Sequence, residues 1–280
     1  MRIKVTADST CDLPQTLLDK YDIGITPLSI VKGNVPYKDG IEIHPQDIFD
    51  HVESGAGICH TTAVNTAEYI DAFSGYLENY DAIVHVNIGS KFSACNQNAN
   101  IAAKELENVY VIDSENLSCG NGQIALDAAM MAQAGVSPGE ITLELTEKSK
   151  KAEMSFVINT VNYLYKGGRC SALAALGANI LGLKPCIEVN DGLMDVGKKY
   201  RGPLDKALQK YIKDRLADRD DIDYTSAFLV HSGVSDEILD MARGLIAEYS
   251  DFKVIHEAIA GCTISCHCGP NTLGIMFYRK

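Results

Sequence analysis

Between Tyr80 and Glu115 the chain reads YDAIVHVNIGSKFSACNQNANIAAKELENVYVIDSE, and this stretch restricts the fold more than any other. Ala82 to Ile88 is an apolar run of the length of a buried strand. Gly89 and Ser90 break it, residues 94–106 carry Ala and Ile at helical spacing, and Val109 to Ile112 is a second apolar run. Strand, helix and strand in that order form a βαβ unit, whose strands pair in parallel through a right-handed crossover. Ser93 falls at the expected helix start. There its hydroxyl caps free backbone N–H groups, and the same N-terminus favours an anion. Both uses fit this stretch, and the plain cap is the commoner one.

The rest of the chain alternates similarly. Residues 2–7 read as a first strand that ends at Asp8-Ser9-Thr10, either turn chemistry or a ligand-facing loop beyond a strand's carboxyl end. Ile25 to Val31 reads as one short strand, and residues 60–66 as a polar loop before a helix. Beyond residue 152 the pattern changes. Lys184 to Val189 and Leu193 to Val196 flank Asn190-Asp191-Gly192, a strong hairpin signal. Residues 265–271 read as a loop before a closing strand. The expectation is an α/β protein of two domains. Residues 1–152 would hold a parallel sheet and residues 153–280 a mixed or antiparallel one.

Composition limits function. A net charge of −12 over 280 residues argues against a nucleic-acid partner and a polybasic membrane anchor. An odd count of 9 scattered cysteines, with an opening MRIKVTADST whose apolar core Ile3–Val5 is too short for a leader, fits a reduced, cytoplasmic chain. Cys262, Cys266, His267 and Cys268 invite a metal reading, but no paired CxxC spacing supports it. There is no GxxxxGK[ST], GxGxxG or GxSxG pattern, so nucleotide binding and a nucleophile elbow lack support. A hydrolase or acyl transferase built on Ser93 and His267, with Asp8 or Asp113 as orienter, stays open.

Eight stretches, in order, resemble the DegV family. Residues 8–14 (DSTCDLP) resemble its DSTADLP opening, and Tyr37-Lys38-Asp39-Gly40 its next motif. His60-Thr61-Thr62, residues 88–98, Val111-Ile112-Asp113-Ser114, residues 165–169 (YKGGR), Leu183-Lys184-Pro185 and His267-Cys268-Gly269-Pro270 follow. The resemblance implies a two-domain DegV-like fold that binds a long-chain fatty acid in a buried tunnel. Such a protein is a monomeric bacterial carrier rather than a catalyst, without metal or cofactor and with at most transient membrane contact. It presents the acyl carboxylate to a separate ATP-dependent, dihydroxyacetone-kinase-like fatty-acid kinase that feeds phospholipid synthesis. By the same resemblance Thr61 or Thr62, Ser93 with the adjoining Ala94, and His267 hold the carboxylate. His267 would position or charge-pair it, and Arg201 would dock the kinase. Residues 172–183 and 154–161 would line the tunnel. The chain departs from the family pattern at Ala63-Val64, Ala94, Cys95-Asn96 and Asn271, the last in place of a glycine.

Overall fold

The computed structural model describes residues 1–173 and 182–280. Its strands are β1 (Ile3–Asp8), β2 (Ile23–Thr26), β3 (Ser29–Lys32), β4 (Val35–Lys38), β5 (His60–Thr62), β6 (Ala82–Asn87), β7 (Val109–Asp113), β8 (Ala152–Val157), β9 (Leu183–Asn190), β10 (Leu193–Arg201), β11 (Ile222–Ser232), β12 (Ile255–Ile259) and β13 (Thr272–Arg279). They form three sheets. A parallel sheet has the order β2-β1-β6-β7, a mixed sheet the order β10-β9-β8-β13-β11-β12, and a small antiparallel sheet the order β4-β3-β5.

The βαβ unit is present as β6, helix Cys95–Lys104 and β7, with Val84 opposite Tyr110 in parallel register. All six residues of β6 are buried, as a central parallel strand covered on both faces requires. The hairpin is present too. β9 and β10 pair antiparallel around Asp191 (φ 49°) and Gly192 (φ 71°), two successive left-handed residues whose twist suits a two-residue turn.

One apolar cluster joins the parallel sheet to the mixed sheet. Val84 and Val86 of β6, Ile124 and Ala128 of helix Cys119–Gln133, and Phe156 and Met276 of the mixed sheet all belong to it. That helix is buried over its first eleven residues and lies against β1, β6, β8 and β13. Gly122 makes the approach possible: a Cβ there would meet the Cys11 carbonyl and the Leu13 side chain. A second cluster packs helices Leu204–Leu216 and Asp236–Tyr249 on the other face of the mixed sheet. A third joins the small sheet to helices Pro45–Glu53 and Cys262–Cys268.

Three local readings need correction. The expected strand at residues 25–31 is two strands, β2 and β3, interrupted at Pro27. Residues 60–62 are not loop but strand β5, paired to β3 with Thr61 opposite Ile30. Residues 265–268 are not loop but the end of helix Cys262–Cys268, so His267 sits in its last turn. Asn271 adopts φ 58°, a left-handed conformation that asparagine tolerates in place of the family's glycine.

Candidate functional site

The carboxyl ends of β1 and β6 are pinned by buried polar groups. Asp8, at the end of β1, accepts from the Tyr69 hydroxyl (2.5 Å), Ile88 N (3.0 Å) and Asn87 Nδ2 (3.1 Å), and lies 3.3 Å from His85 Nε2. Asp8 therefore anchors the loop after β6 rather than facing solvent. The loop turns at Gly89, where a Cβ would crowd the backbone at Glu115 and Asn116. Phe92 is buried and Ser93 half-buried. Ser93 stands one residue before the helix cap, which is Ala94. Its hydroxyl accepts from Cys95 N (3.3 Å) and donates to Cys95 Sγ (3.2 Å). Burial pushes the Cys95 thiol up to about 11, which keeps it protonated at neutral pH.

Strand β5 settles which threonine faces inward, because neighbouring residues on a strand point to opposite sides. Thr61 Oγ1 lies 3.0 Å from His267 Nε2. Thr62 is exposed, with its hydroxyl 3.5 Å from Ser29 O. The other ring nitrogen of His267, Nδ1, has no partner among the described residues and lies against Gly167. Burial pushes the His267 imidazole down to about 4, with the Arg169 guanidinium and His60 adding to the effect. The ring is therefore neutral at pH 7. Its Nε2 shares a hydrogen bond with Thr61, and the ring supplies no charge.

Arg169 supplies the charge. It follows the glycines that end helix Asn162–Gly167, and Gly168 adopts φ 70° there. Its guanidinium donates to Gly167 O (2.8 Å) and reaches toward Phe92 O (3.5 Å), with no carboxylate partner among the described residues. Arg169 was in view as the last residue of the YKGGR stretch, but it was not among the expected carboxylate-binding residues.

These groups surround the mouth of a cavity of about 190 Å³. Its lining includes Thr61, Ser93, Ala94, Arg169 and His267, which are exposed or half-buried, and Leu28, Ile88, Phe92, Leu117, Phe156 and Leu164, which are buried. A smaller void of about 20 Å³ shares Leu117, Phe156, Ile264 and Cys268 with it and adds Met154, Val230 and Ala260. Of the two stretches expected to line a tunnel, residues 154–161 contribute Met154 and Phe156. Residues 174–181 of the other lie outside the described residues.

The structure does not bring Arg201 to this cavity. It is exposed at the far end of β10 from Met194, a lining residue, and seven residues of strand span roughly 23 Å. Nor are Ser93 and His267 hydrogen-bonded to each other: the serine bonds to Cys95 and the imidazole to Thr61. All nine cysteines are buried free thiols. Among the described residues no group of three or more His, Cys, Asp or Glu side chains is arranged to hold a metal ion. No helix among them is long and apolar enough to cross a membrane. Chemically, the arrangement suits a long apolar molecule with an anionic head: hydroxyls and a guanidinium at the mouth, hydrocarbon walls behind.

Comparison with known proteins places the chain in a family. The family model described as an uncharacterised protein of the DegV family matches residues 2–280. A DegV domain-containing protein of Caldanaerobacter subterraneus is 30% identical over 283 residues, covering 100% of this chain and 99% of that protein. A fatty acid-binding protein of Thermotoga maritima is 27% identical over 290 residues, with 98% and 96% covered. Among solved structures, a DegV family protein from Thermus thermophilus, described by its fatty acid binding, superposes with a TM-score of 0.90 at 28% identity, with both chains covered in full.

Proposed function

The chain belongs to the DegV family, and from that premise we propose that it binds a long-chain fatty acid and presents the carboxylate to a separate ATP-dependent fatty-acid kinase. One observation carries the reading: a single cavity has Thr61, Ser93, His267 and Arg169 at its mouth and apolar walls behind them. Hydroxyl and guanidinium donors give a carboxylate charge-assisted hydrogen bonds. The tail supplies the larger share of affinity. At roughly 0.8 kcal/mol per buried CH₂, about 15 methylenes contribute on the order of 12 kcal/mol before ordering costs.

In this reading the protein is a carrier. Ser93 and Thr61 donate to the carboxylate, neutral His267 holds the Thr61 hydroxyl in place, and Arg169 balances the charge. The exposed Arg201 belongs to a separate kinase-docking surface. The carrier works as a cytoplasmic monomer that meets a membrane only transiently to load or unload. Activated at a partner's active site, the acyl group would feed phospholipid synthesis. The unlinked Ser93 and His267 favour a carrier over a hydrolase, because a serine nucleophile needs its base within hydrogen-bond reach.

Mass spectrometry of the purified protein, native and then after denaturation and solvent extraction, tests the reading. The expected result is one fatty acid per chain, released on denaturation. A protein that stays empty after exposure to palmitate and oleate would sink it. A covalent adduct on Ser93 with a fluorophosphonate would restore the hydrolase.

A further inference from the structure

Helix Cys262–Cys268 carries His267 but cannot satisfy its own N-terminus. It has seven residues, too few to be stable alone, and its cap residue, Gly261, has no side chain. Two buried carboxyl groups from the other end of the chain meet its first donors. Asp12 Oδ1 accepts from Gly261 N at 2.9 Å, and Asp39 Oδ1 from Cys262 N at 3.0 Å. Asp39 Oδ2 accepts from Thr263 N at 3.1 Å and from the Thr263 hydroxyl at 2.6 Å. These bonds span between 223 and 249 residues of sequence.

The two carboxyl groups are themselves fixed. Ser9 Oγ donates to Asp39 at 2.9 Å and accepts from Leu28 N at 3.1 Å, and Ser118 Oγ donates to Asp12 at 2.5 Å. Asp12 and Asp39 are 7% and 4% exposed, and neither lines the cavity. The first two motifs of the chain, around Asp12 and Asp39, thus converge on one short helix rather than on the ligand.

We infer that Asp39 and Asp12 are positioning residues: by clamping the N-terminus of helix Cys262–Cys268 they fix His267 against Thr61 and so set the carboxylate cradle. This rests on the fatty-acid reading of the site. His267 lies five residues beyond Cys262, about 7.5 Å along the axis. A tilt of about ten degrees at the clamp moves the imidazole by about 1 Å, enough to stretch a 3.0 Å hydrogen bond beyond its useful range. Gly167 closes the other side of the ring, so the imidazole has no compensating shift in that direction.

The imidazole titration of His267, followed by NMR in lipid-free protein, tests the clamp without depending on any ligand. In the unaltered protein burial holds the His267 imidazole down at about 4. Asp39→Asn keeps an acceptor for Cys262 N but turns an amide N–H₂ toward the donors of Thr263 and Ser9. The expected result is a titration moved toward 6.5 by a unit or more, with palmitate dissociating about ten-fold faster. Leu208→Ala, in the core on the other face of the mixed sheet, controls for general destabilisation. It should lower the melting temperature and leave the His267 titration in place. Thr263→Val, which removes the hydroxyl bond to Asp39 and keeps the side-chain volume where Thr263 lines the cavity, should move the titration in the same direction by less, and decides the matter if Asp39→Asn does not fold. An unshifted His267 in Thr263→Val and in any folded Asp39→Asn protein overturns the clamp. Absence of bound lipid in the unaltered protein overturns the fatty-acid reading instead, and the titration separates the two failures.

Discussion

Thr61 Oγ1 and His267 Nε2 meet at 3.0 Å across 206 residues of chain. The apolar cluster that joins the small sheet to helix Cys262–Cys268 brings strand β5 beside the helix's last turn, and both partners of the pair line the cavity. Thr61→Val keeps the shape and removes the hydroxyl. The expected effect is the loss of about 1 kcal/mol of binding, a roughly five-fold faster release of palmitate. Stopped-flow displacement by a fluorescent fatty acid measures it. An unchanged rate would remove Thr61 from the cradle.

Arg169 is the cation at the mouth, and among the described residues its hydrogen bonds are to backbone carbonyls. Arg169→Gln should weaken fatty-acid binding about ten-fold through loss of a charge-assisted contact. It should also flatten the salt dependence, since an exposed ion pair is screened as ionic strength rises. Titrations at low and high salt test both, and equal salt slopes in the two proteins would contradict the assignment.

A neutral His267 has a consequence for stability. Its folded pKa, about 4, lies below the ordinary 6.5, so between these values the unfolded chain binds more protons than the folded one. The stability it contributes is present above about pH 6.5 and is lost as pH falls through about 4. His267→Gln should therefore show a shallower drop in melting temperature between pH 7 and pH 4.5 than the unaltered protein.

Asp12 acts in the opposite sense. Burial, aided by the nearby Asp39, pushes its carboxyl up to about 8, although Ser118 and Gly261 N pull it down. The folded state therefore holds a proton that the unfolded chain has released. Stability from Asp12 is fully present below about pH 4 and is lost as pH rises through about 8. Asp12→Asn mimics the protonated group: its oxygen accepts from Gly261 N and its amide donates to Ser118. It should match the unaltered protein near pH 4 and be increasingly the more stable of the two toward pH 9, as thermal melts at both pH values would show.

Where local chemistry decides structure, the sequence was readable. The βαβ unit follows from apolar runs within β6 and β7, and the hairpin from Asp191-Gly192, whose two positive φ values suit the turn. Where distant partners decide, it was not. Helix Cys262–Cys268 is written in Cys, Thr, Ser and His with a single Ile264, beside Gly261 and Gly269, a composition that reads as loop. Its caps come from Asp12 and Asp39, which no local window contains. Strand β5 has three residues, and pairing with β3 rather than propensity makes it a strand. Thr61 and Thr62 were indistinguishable until that pairing supplied an inside and an outside. Ser93 was legible as a residue near a helix start, but its displacement from the cap by one position was not. The neutrality of His267 depends on burial and then on Arg169, neither of which spacing reveals.

Tail length should be set where the cavity meets the smaller void. Phe156 lines both, and Ala260 lines the void. Phe156→Leu removes ring volume at the junction and should admit a tail longer by one or two carbons, at a stability cost within the range of about 1–3 kcal/mol for core changes. Ala260→Val adds two methyl groups to a void of about 20 Å³ and should favour tails shorter by a similar amount. Extraction and mass spectrometry after exposure to an equimolar mixture of saturated acids measures the preference directly. Opposite shifts in the two variants place the tail's end at this junction. The same acid retained by both would mean that the tail leaves the cavity by another route.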